Sequence, residues 1–365
     1  MAKQVDFEVD RRDHSKTRVL IQDDPAQDQP ELAEGQVRFA IERFALTANN
    51  ITYALVGDML DYWGFFPAEA PWGRIPAMGW ADIVESKHAD IPVGGRYFGW
   101  YPMSSHVVVQ AAPSATGLTD DSPHRARHAP IYRAFQESAR DPFYDKKNED
   151  RHALLRALFI TSFLADDFLY DQDFFGSSRT IVLSASSKTA IGFAMQAHRR
   201  DRETIGVTSP GNVDFVRALG LYDQVITYDA VDELDPGMGS ALVDMSGNMD
   251  VVRRVHERLG AQLRYSMGIG MSHGAAGRAG DASEELPGPS QELFFAPSQV
   301  EKRLRDWGPK LYGQRIAEAL ERFVESSTSW LEIDHRNGGE ELTETYRALL
   351  EGRLSPSRGQ IVSLV

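Results

Sequence analysis

The sequence predicts an α/β protein in two parts, a doubly wound parallel sheet and a smaller β-rich domain. Three observations carry this. Residues 17–22 (TRVLIQ) and 36–46 (QVRFAIERFAL) alternate apolar and polar side chains, which is the period of half-buried strands. Beyond about residue 150 short apolar runs alternate with stretches of helical spacing, the pattern of a parallel sheet covered by helices. The apolar and charged fractions, 42% and 25%, are those of a chain that folds around a core.

In the first part, two further strands are expected at 80–85 (WADIVE) and 105–111 (SHVVVQA), separated by a Gly-rich turn, Pro92-Val93-Gly94-Gly95. Short strands punctuated by turns suggest a small barrel or sandwich. Residues 113–150 carry Pro, Asp, His and Arg without a period and read as a surface wrap. In the second part, 152–170 have helical spacing, and Arg179-Thr180-Ile181-Val182-Leu183 is a buried strand. A small-residue turn, Ser184 to Gly192, leads into a helix over Gly192–His198. Strands at 204–209, 224–229, 241–247 and 262–270 alternate with helices at 213–220 and 249–259. Residues 272–290 read as a loop, and a long amphipathic helix runs from Pro297 to about Ser326. A strand at 330–334, a helix at 340–352 and a strand at 359–365 end the chain. The expected division is residues 1–149 completed by 326–365, and residues 150–325.

Composition excludes several classes of function. The net charge is -14 with no basic block, which argues against a nucleic-acid partner. No apolar run is long enough to cross a bilayer, so no membrane partner is expected. The N-terminal MAKQVDFEVDRRDHSK is charged where a signal peptide needs an apolar core, so the expected location is the cytoplasm. The absence of cysteine removes disulfides, thiolate nucleophiles and cysteine-liganded metals. His124 and His128 are four apart, but Pro123 and Pro130 flank them and no second pair of ligands follows. No metal site is expected.

The chemistry concentrates in the turn after Leu183. A tight turn from a buried strand into a helix lets backbone N–H groups approach a pyrophosphate at the positive end of the helix. Ser184, Ala185, Ser186, Ser187, Lys188, Thr189 and Ala190 occupy that turn, and of the usual fingerprint glycines only Gly192 is present. Taken alone, the turn is better accounted for by a strand-helix crossover without a ligand. The next strand ends in Thr208-Ser209 with no carboxylate at its tip. A fold that binds NAD places an acid there for the ribose 2′-hydroxyl, whereas small hydroxyls suit a 2′-phosphate. Thr208-Ser209 also disfavours a methyl transferase, which wants an acid at the same place. Asp244, Ser246 and Gly247 lie where the fourth strand ends, and ligands of doubly wound sheets bind at such ends. NADP(H) is the expected cofactor.

The runs IVLSASSKTAIGFAMQAHRR, TIGVTSPGNVDFVRALGLYDQVITYD and ALVDMSGN, in that order, resemble the nucleotide domain of the zinc-independent quinone oxidoreductases. These are a branch of the medium-chain dehydrogenase/reductases. Ala48-Asn49-Asn50-Ile51-Thr52-Tyr53 resembles the segment where that family places an Asn or Tyr beside the nicotinamide. Residues 76–84 followed by 93–99 resemble its barrel core, and 350–353 with 358–362 its closing helix and strand. The zinc-dependent members carry Gly-His-Glu and a cysteine ligand; here Gly79 is followed by Trp80 and no cysteine exists. The glycine-poor turn and the unusual 113–150 and 271–296 stretches mark a divergent branch.

The resemblance implies a Rossmann-like NADP-binding domain and a GroES-like β-barrel substrate domain. It implies zinc-independent hydride transfer to a small carbonyl, enone or quinone-like substrate, in a homodimer or a monomer. A protein of this fold that binds NADPH without turnover is the alternative. Tyr53 is the expected donor to charge developing on the substrate oxygen, unless it is a half-buried barrel tyrosine. Asn49 would bond the substrate or ribose, unless it is a turn residue. Lys188 would meet phosphate oxygens. Thr161, with Ser162, falls on the segment below the nicotinamide in the similar family. Asp244 would bridge to a cofactor hydroxyl or serve only its own turn. Arg199, Arg200 and Arg202 follow the dinucleotide helix, to reach a 2′-phosphate or to form a solvated helix end.

Overall fold

The computed structural model describes residues 3–22, 31–141, 144–200, 202–269 and 286–365. The chain divides into two compact units, residues 1–154 with 331–365, and residues 155–330. Most of the loop expected over 272–290 lies outside the described residues.

The first unit contains β1 (Gln4–Asp10), β2 (Thr17–Gln22), β3 (Gln36–Leu46), helix α1 (Ala48–Leu55), β4 (Trp72–Gly73), β5 (Pro76–Ser86), β6 (Gly94–Pro102), β7 (His106–Ser114), β8 (Gly117–Asp120) and β9 (Ala134–Glu137). Helix α2 (Glu149–Asp171) begins in this unit and ends in the second. The second unit continues with β10 (Arg179–Leu183), α3 (Lys188–Ala197), β11 (Glu203–Thr208), α4 (Val213–Ala218), β12 (Gln224–Thr227), β13 (Ser240–Asp244), α5 (Met249–Leu259), β14 (Leu263–Gly268), β15 (Gln291–Leu293) and α6 (Ala296–Ser326). The chain then returns to the first unit as β16 (Glu332–Asn337), α7 (Gly338–Leu350) and β17 (Arg358–Ser363).

In the first unit β3 pairs antiparallel with both β5 and β7, which closes the ring β3-β5-β6-β9-β8-β7 into a six-stranded GroES-like barrel. A closed ring has no free edge to protect. β17 pairs antiparallel with β3 and parallel with β16, so the last strands extend this sheet rather than the parallel one. Phe39, Tyr97, Tyr101 and Phe135 fill the barrel, with Phe39 and Phe135 stacked at 5.1 Å between ring centroids.

Several elements depart from the sequence reading. β6 follows directly on the turn expected at Pro92–Gly95; Gly94 and Gly95 have φ of 93° and 77°, and the strand continues to Pro102. Its residues 97–102 are all buried, so no alternation reveals it. β8 and β9, four residues each, lie in the stretch read as a wrap and are too short to show a period. Asn49 is not a turn residue but sits in α1, whose start is fixed by Asn50 Oδ1 accepting from Thr47 N at 2.7 Å.

A charged cluster fastens the start of α2 to the barrel. Arg96 grips both carboxylate oxygens of Glu149, one at 2.7 Å, and also bonds Asp82 at 3.1 Å. Tyr144 donates to the same carboxylate at 2.6 Å, and the Trp80 indole donates to the Glu149 carbonyl at 2.9 Å. Glu149 is fully buried, and these donors together satisfy it.

The second unit is a six-stranded parallel sheet in the order β12-β11-β10-β13-β14-β15. Counted from β10 this is 3-2-1-4-5-6, the Rossmann order, and its direction reverses between β10 and β13. Every residue of β10 and of β13 is buried, as strands covered on both faces must be. The long helix α6 is broken at Gly308, with φ 75°, ahead of Pro309, rather than continuous.

Gly79 lies where β5 crosses β3, and a Cβ there would overlap the Arg43 carbonyl oxygen and crowd Phe44. Gly79→Ala should therefore destabilise the chain by roughly 1–3 kcal/mol. Urea unfolding checks this as a lower midpoint with an unchanged slope.

Candidate nucleotide-binding site

The strand-to-helix turn is built around one left-handed residue. Ser184 has φ 58° and stands directly after the buried end of β10. Ser187 N–H donates back to Ser184 O at 2.8 Å, and Ala185 N–H donates to Val207 O at 3.0 Å. Ser187 then caps α3, its Oγ accepting from Ala190 N at 3.2 Å, a normal N-cap arrangement. The helix thus starts at Lys188, four residues earlier than expected, and Gly192 lies inside it. There a Cβ would stand 3.0 Å from Ser162 Oγ, so Gly192 serves close packing of α3 on α2 and not the turn.

Of the amides in this turn, those of Ser186 and Thr189 make no hydrogen bond among the described residues. A helix leaves its first N–H groups unsatisfied, and they carry the positive end of its dipole. Ala185 and Ala190 are wholly buried, and Tyr222 OH donates to both of their carbonyls at 3.2 Å. They brace the turn from beneath. Lys188, half-buried at the first position of α3, has its ammonium drawn down to about 8 by burial.

The neighbouring strand ends are joined to this turn by side chains. Thr208 Oγ1 donates to Ser186 Oγ at 3.3 Å, and Asn212 Nδ2 donates to Ser186 Oγ at 3.2 Å and to Ser209 Oγ at 3.0 Å. The tip of β11 is therefore a neutral cluster of hydroxyls and one amide. On the other side Asp244 ends β13 directly opposite Leu183. Its Oδ1 accepts from Ser246 N at 2.8 Å, Ser246 Oγ at 2.7 Å and Gly247 N at 3.1 Å, and its Oδ2 accepts from Gln291 at 3.3 Å. Burial raises its carboxyl above the ordinary value, but its oxygens are engaged in shaping the 244–248 loop. The turn-forming alternative describes Asp244.

The expected residues thus fall into four groups. Ser184 to Ala190, Thr208 and Ser209, and Asp244, Ser246 and Gly247 come together at the carboxyl ends of β10, β11 and β13. Thr161 does not join them by any side-chain bond; its Oγ1 donates to Ala157 O within α2, while Ser162 ties α2 to Thr189 O at 2.6 Å. The three arginines stand at the opposite end of the sheet. Arg200 bonds Asp166 at 2.6 Å and lies 4.0 Å over Tyr170, Arg202 bonds Asp173 at 3.0 Å, and Arg199 is exposed. Arg202 precedes β11 and Ser209 follows it, so the whole strand, roughly 20 Å at about 3.3 Å per residue, separates them. They are structural cations of a helix end.

Asn49 and Tyr53 belong to the first unit, one turn apart on α1. Burial pushes the Tyr53 phenol far above the ordinary tyrosine pKa, with Asn49 opposing the shift. Its ring packs on Tyr62 at 4.7 Å and Trp100 at 5.4 Å. Tyr62 in turn meets the Tyr132 ring edge-on at 6.2 Å. Asn212, Tyr222 and the contact of Tyr62 with Tyr132 were missed in the sequence. Gly206 was the available signal for Tyr222, since a Cβ there would stand 2.9 Å from that ring.

A family model described as "Protein of unknown function (DUF2855)" matches residues 44–355. No curated protein matches the sequence. Solved structures do. The yhdH oxidoreductase from Salmonella enterica, in complex with NADP, matches with a TM-score of 0.57 at 12% identity, over 100% of this chain and 99% of that one. CurA from Vibrio vulnificus, in complex with NADPH, matches with 0.58 at 14% identity, over 96% and 94%. A mutant form of enoyl thioester reductase from Candida tropicalis matches with 0.54 at 11% identity, over 100% of both chains. The fold is that of the medium-chain dehydrogenase/reductases, as the sequence resemblance led us to expect.

Removing the Asp244 carboxylate leaves the Ser246 and Gly247 amides without an acceptor. Asp244→Ala should destabilise the chain by about 1–3 kcal/mol, measured by urea unfolding.

Proposed function

The chain belongs to the DUF2855 family, and we propose that it is an NADP(H)-dependent reductase of a small carbonyl, enone or quinone-like substrate, working without zinc. One observation carries the reading. At the point where the Rossmann strand order reverses, the Ser184–Ser187 turn meets a β11 tip of hydroxyls and an amide with no carboxylate. The amides of Ser186 and Thr189 and the ammonium of Lys188 would hold the pyrophosphate. Ser186, Ser209 and Asn212 would receive the 2′-phosphate, where an acid would reject it. The cofactor supplies the hydride; the protein binds it and orients it.

The residue types fit zinc-free chemistry. Trp80 stands where zinc-dependent members of the similar family carry a histidine ligand, and its indole is fully buried on Glu149 O. Tyr53, kept protonated by burial, would donate a hydrogen bond to negative charge on the substrate oxygen.

Fluorescence titration with NADPH and NADH tests the cofactor, and NADPH oxidation with a panel of enones, quinones and aldehydes tests turnover. Tighter NADPH binding, eroded by Ser209→Asp, is expected; equal or tighter NADH binding would contradict it. Heat protection by NADPH without turnover on any substrate would leave a binding protein instead.

Lys188 gives the binding a pH dependence. A phosphate beside its ammonium favours the charged form and raises its value above the free chain's value of about 8. Affinity for NADPH should be full below pH 8 and decline as pH rises beyond it. Lys188→Met should weaken binding roughly tenfold near neutral pH and abolish the decline.

Tyr53→Phe should lower kcat on the order of a hundred- to a thousandfold, with NADPH affinity unchanged. A tyrosine that only packs would lose stability and keep its rate.

A further inference from the structure

The first unit carries an open strand edge. β2 is the outer strand of the sheet β2-β1-β4 and pairs only with β1 among the described residues. Asp10 N–H donates to Lys16 O at 3.0 Å, which fixes the phase of the antiparallel ladder. Arg18, Leu20 and Gln22 turn their main-chain groups toward β1, whereas Thr17, Val19 and Ile21 turn theirs to the open edge. Proteins guard such edges with proline, bulges, charges or very short strands. The opposite edge, β4, is two residues long and follows Pro71. β2 has six residues, no proline and no shift of register along β1. Its one charged residue, Arg18, is held by Glu8 at 2.6 Å.

Beside that edge lies a groove of about 590 Å³ between the β1–β2 hairpin and α7. Paired residues of an antiparallel ladder put their side chains on one face, so Val5 with Ile21 and Phe7 with Val19 point together toward α7. Phe7 meets Tyr346 edge-on at 5.4 Å. Gly339 lets the start of α7 come up against Val19, since a Cβ there would stand 2.7 Å from that side chain. Val5, Val19, Ile21 and Leu364 make the apolar floor, and Ile21 is 57% exposed. Glu340, Glu344 and Arg347 stand on the α7 side, without an ion-pair partner among the described residues.

We propose that β2 pairs antiparallel with β2 of a second copy of this chain, across a two-fold axis at Leu20, joining the two hairpins into one sheet. The strand matches itself in this register. On the groove face Val19 stands beside Ile21 of the second copy. On the other face Leu20 stands beside Leu20, and Arg18 beside Gln22. Apolar meets apolar, polar meets polar, and no like charges oppose each other. Sliding one strand by two residues instead sets Ile21 against Thr17 and Leu20 against Arg18. Val19 and Ile21, whose main-chain groups face outward, exchange N–H···O bonds with their counterparts. A two-fold axis presents each surface to its own copy in reverse, so a rim carrying both signs, Glu344 with Arg347, is complementary to itself. The pairing is independent of the reductase reading.

The chain contains no cysteine, so one introduced thiol reports one contact. Leu20→Cys sets two thiols across the axis, where facing Cα atoms stand about 4.5 Å apart, within reach of a disulfide. Ser15→Cys, exposed in the turn before β2, is the control. Sedimentation of the full chain should show a dimer that dissociates on the order of 10 μM, as a small interface implies. Ile21→Lys, at an exposed position, should weaken it roughly a hundredfold, because the axis counts each substitution twice. An unchanged urea midpoint shows that this variant keeps its fold. Mild oxidation should give covalent dimer from Leu20→Cys and little from Ser15→Cys. A chain that stays monomeric to about 100 μM overturns the proposal and leaves the edge to a strand of another protein. A dimer indifferent to Ile21→Lys, or a Leu20→Cys chain that crosslinks no better than Ser15→Cys, overturns it as well.

Discussion

The backbone at Ser184 must turn left-handed before α3 can start where it does. β10 is buried to its last residue, and only four residues separate that strand from the helix. Glycine makes such a turn without steric cost; a serine pays about 1–2 kcal/mol. The surroundings offset this locally. Ser187 N–H closes the turn on Ser184 O at 2.8 Å. Tyr222 holds the carbonyls on either side of the cap. With the turn fixed, Ser186 is delivered to Thr208 and Asn212, and the first amides of α3 face outward from the carboxyl edge of the sheet. The site is a consequence of that one dihedral angle and of Tyr222, which secures it.

The first unit solves a different problem. Its barrel closes because β3, eleven residues long, is shared between β5 and β7. Closure leaves Trp80 and the aromatic residues around Tyr53 densely packed, and the buried charges there need partners. Arg96 and Glu149 supply each other, with Tyr144 and Asp82 completing the set. Arg125 is met by two carbonyls and the Phe65 and Phe66 rings, and burial lowers it to about 10. The two halves of the chain thus place polar groups by opposite means, one with backbone amides at a helix end and the other with side chains buried among aromatics.

Much of this was legible in the sequence because the second unit obeys simple periods. β10 and β13 each carry a short apolar run, Ile181–Leu183 and Ala241–Val243, and the helices between the strands carry their own spacing, so the sheet and its carboxyl-end residues could be read together. The turn was misplaced by four residues because Gly192 suggested a fingerprint position, whereas Ser184 takes the left-handed conformation without being glycine. β6 escaped because its residues are buried on both faces. For Arg200 and Arg202, sequence proximity to the dinucleotide helix misled, because a helix carries the chain to the far end of the sheet.

Amide hydrogen exchange over residues 184–190 tests the central claim most directly, with the chain alone, with NADPH and with NADH. The account predicts new protection at Ser186 and Thr189 on adding NADPH, weaker with NADH, because those amides would then donate to phosphate oxygens. Unchanged exchange in this segment at saturating NADPH would contradict it.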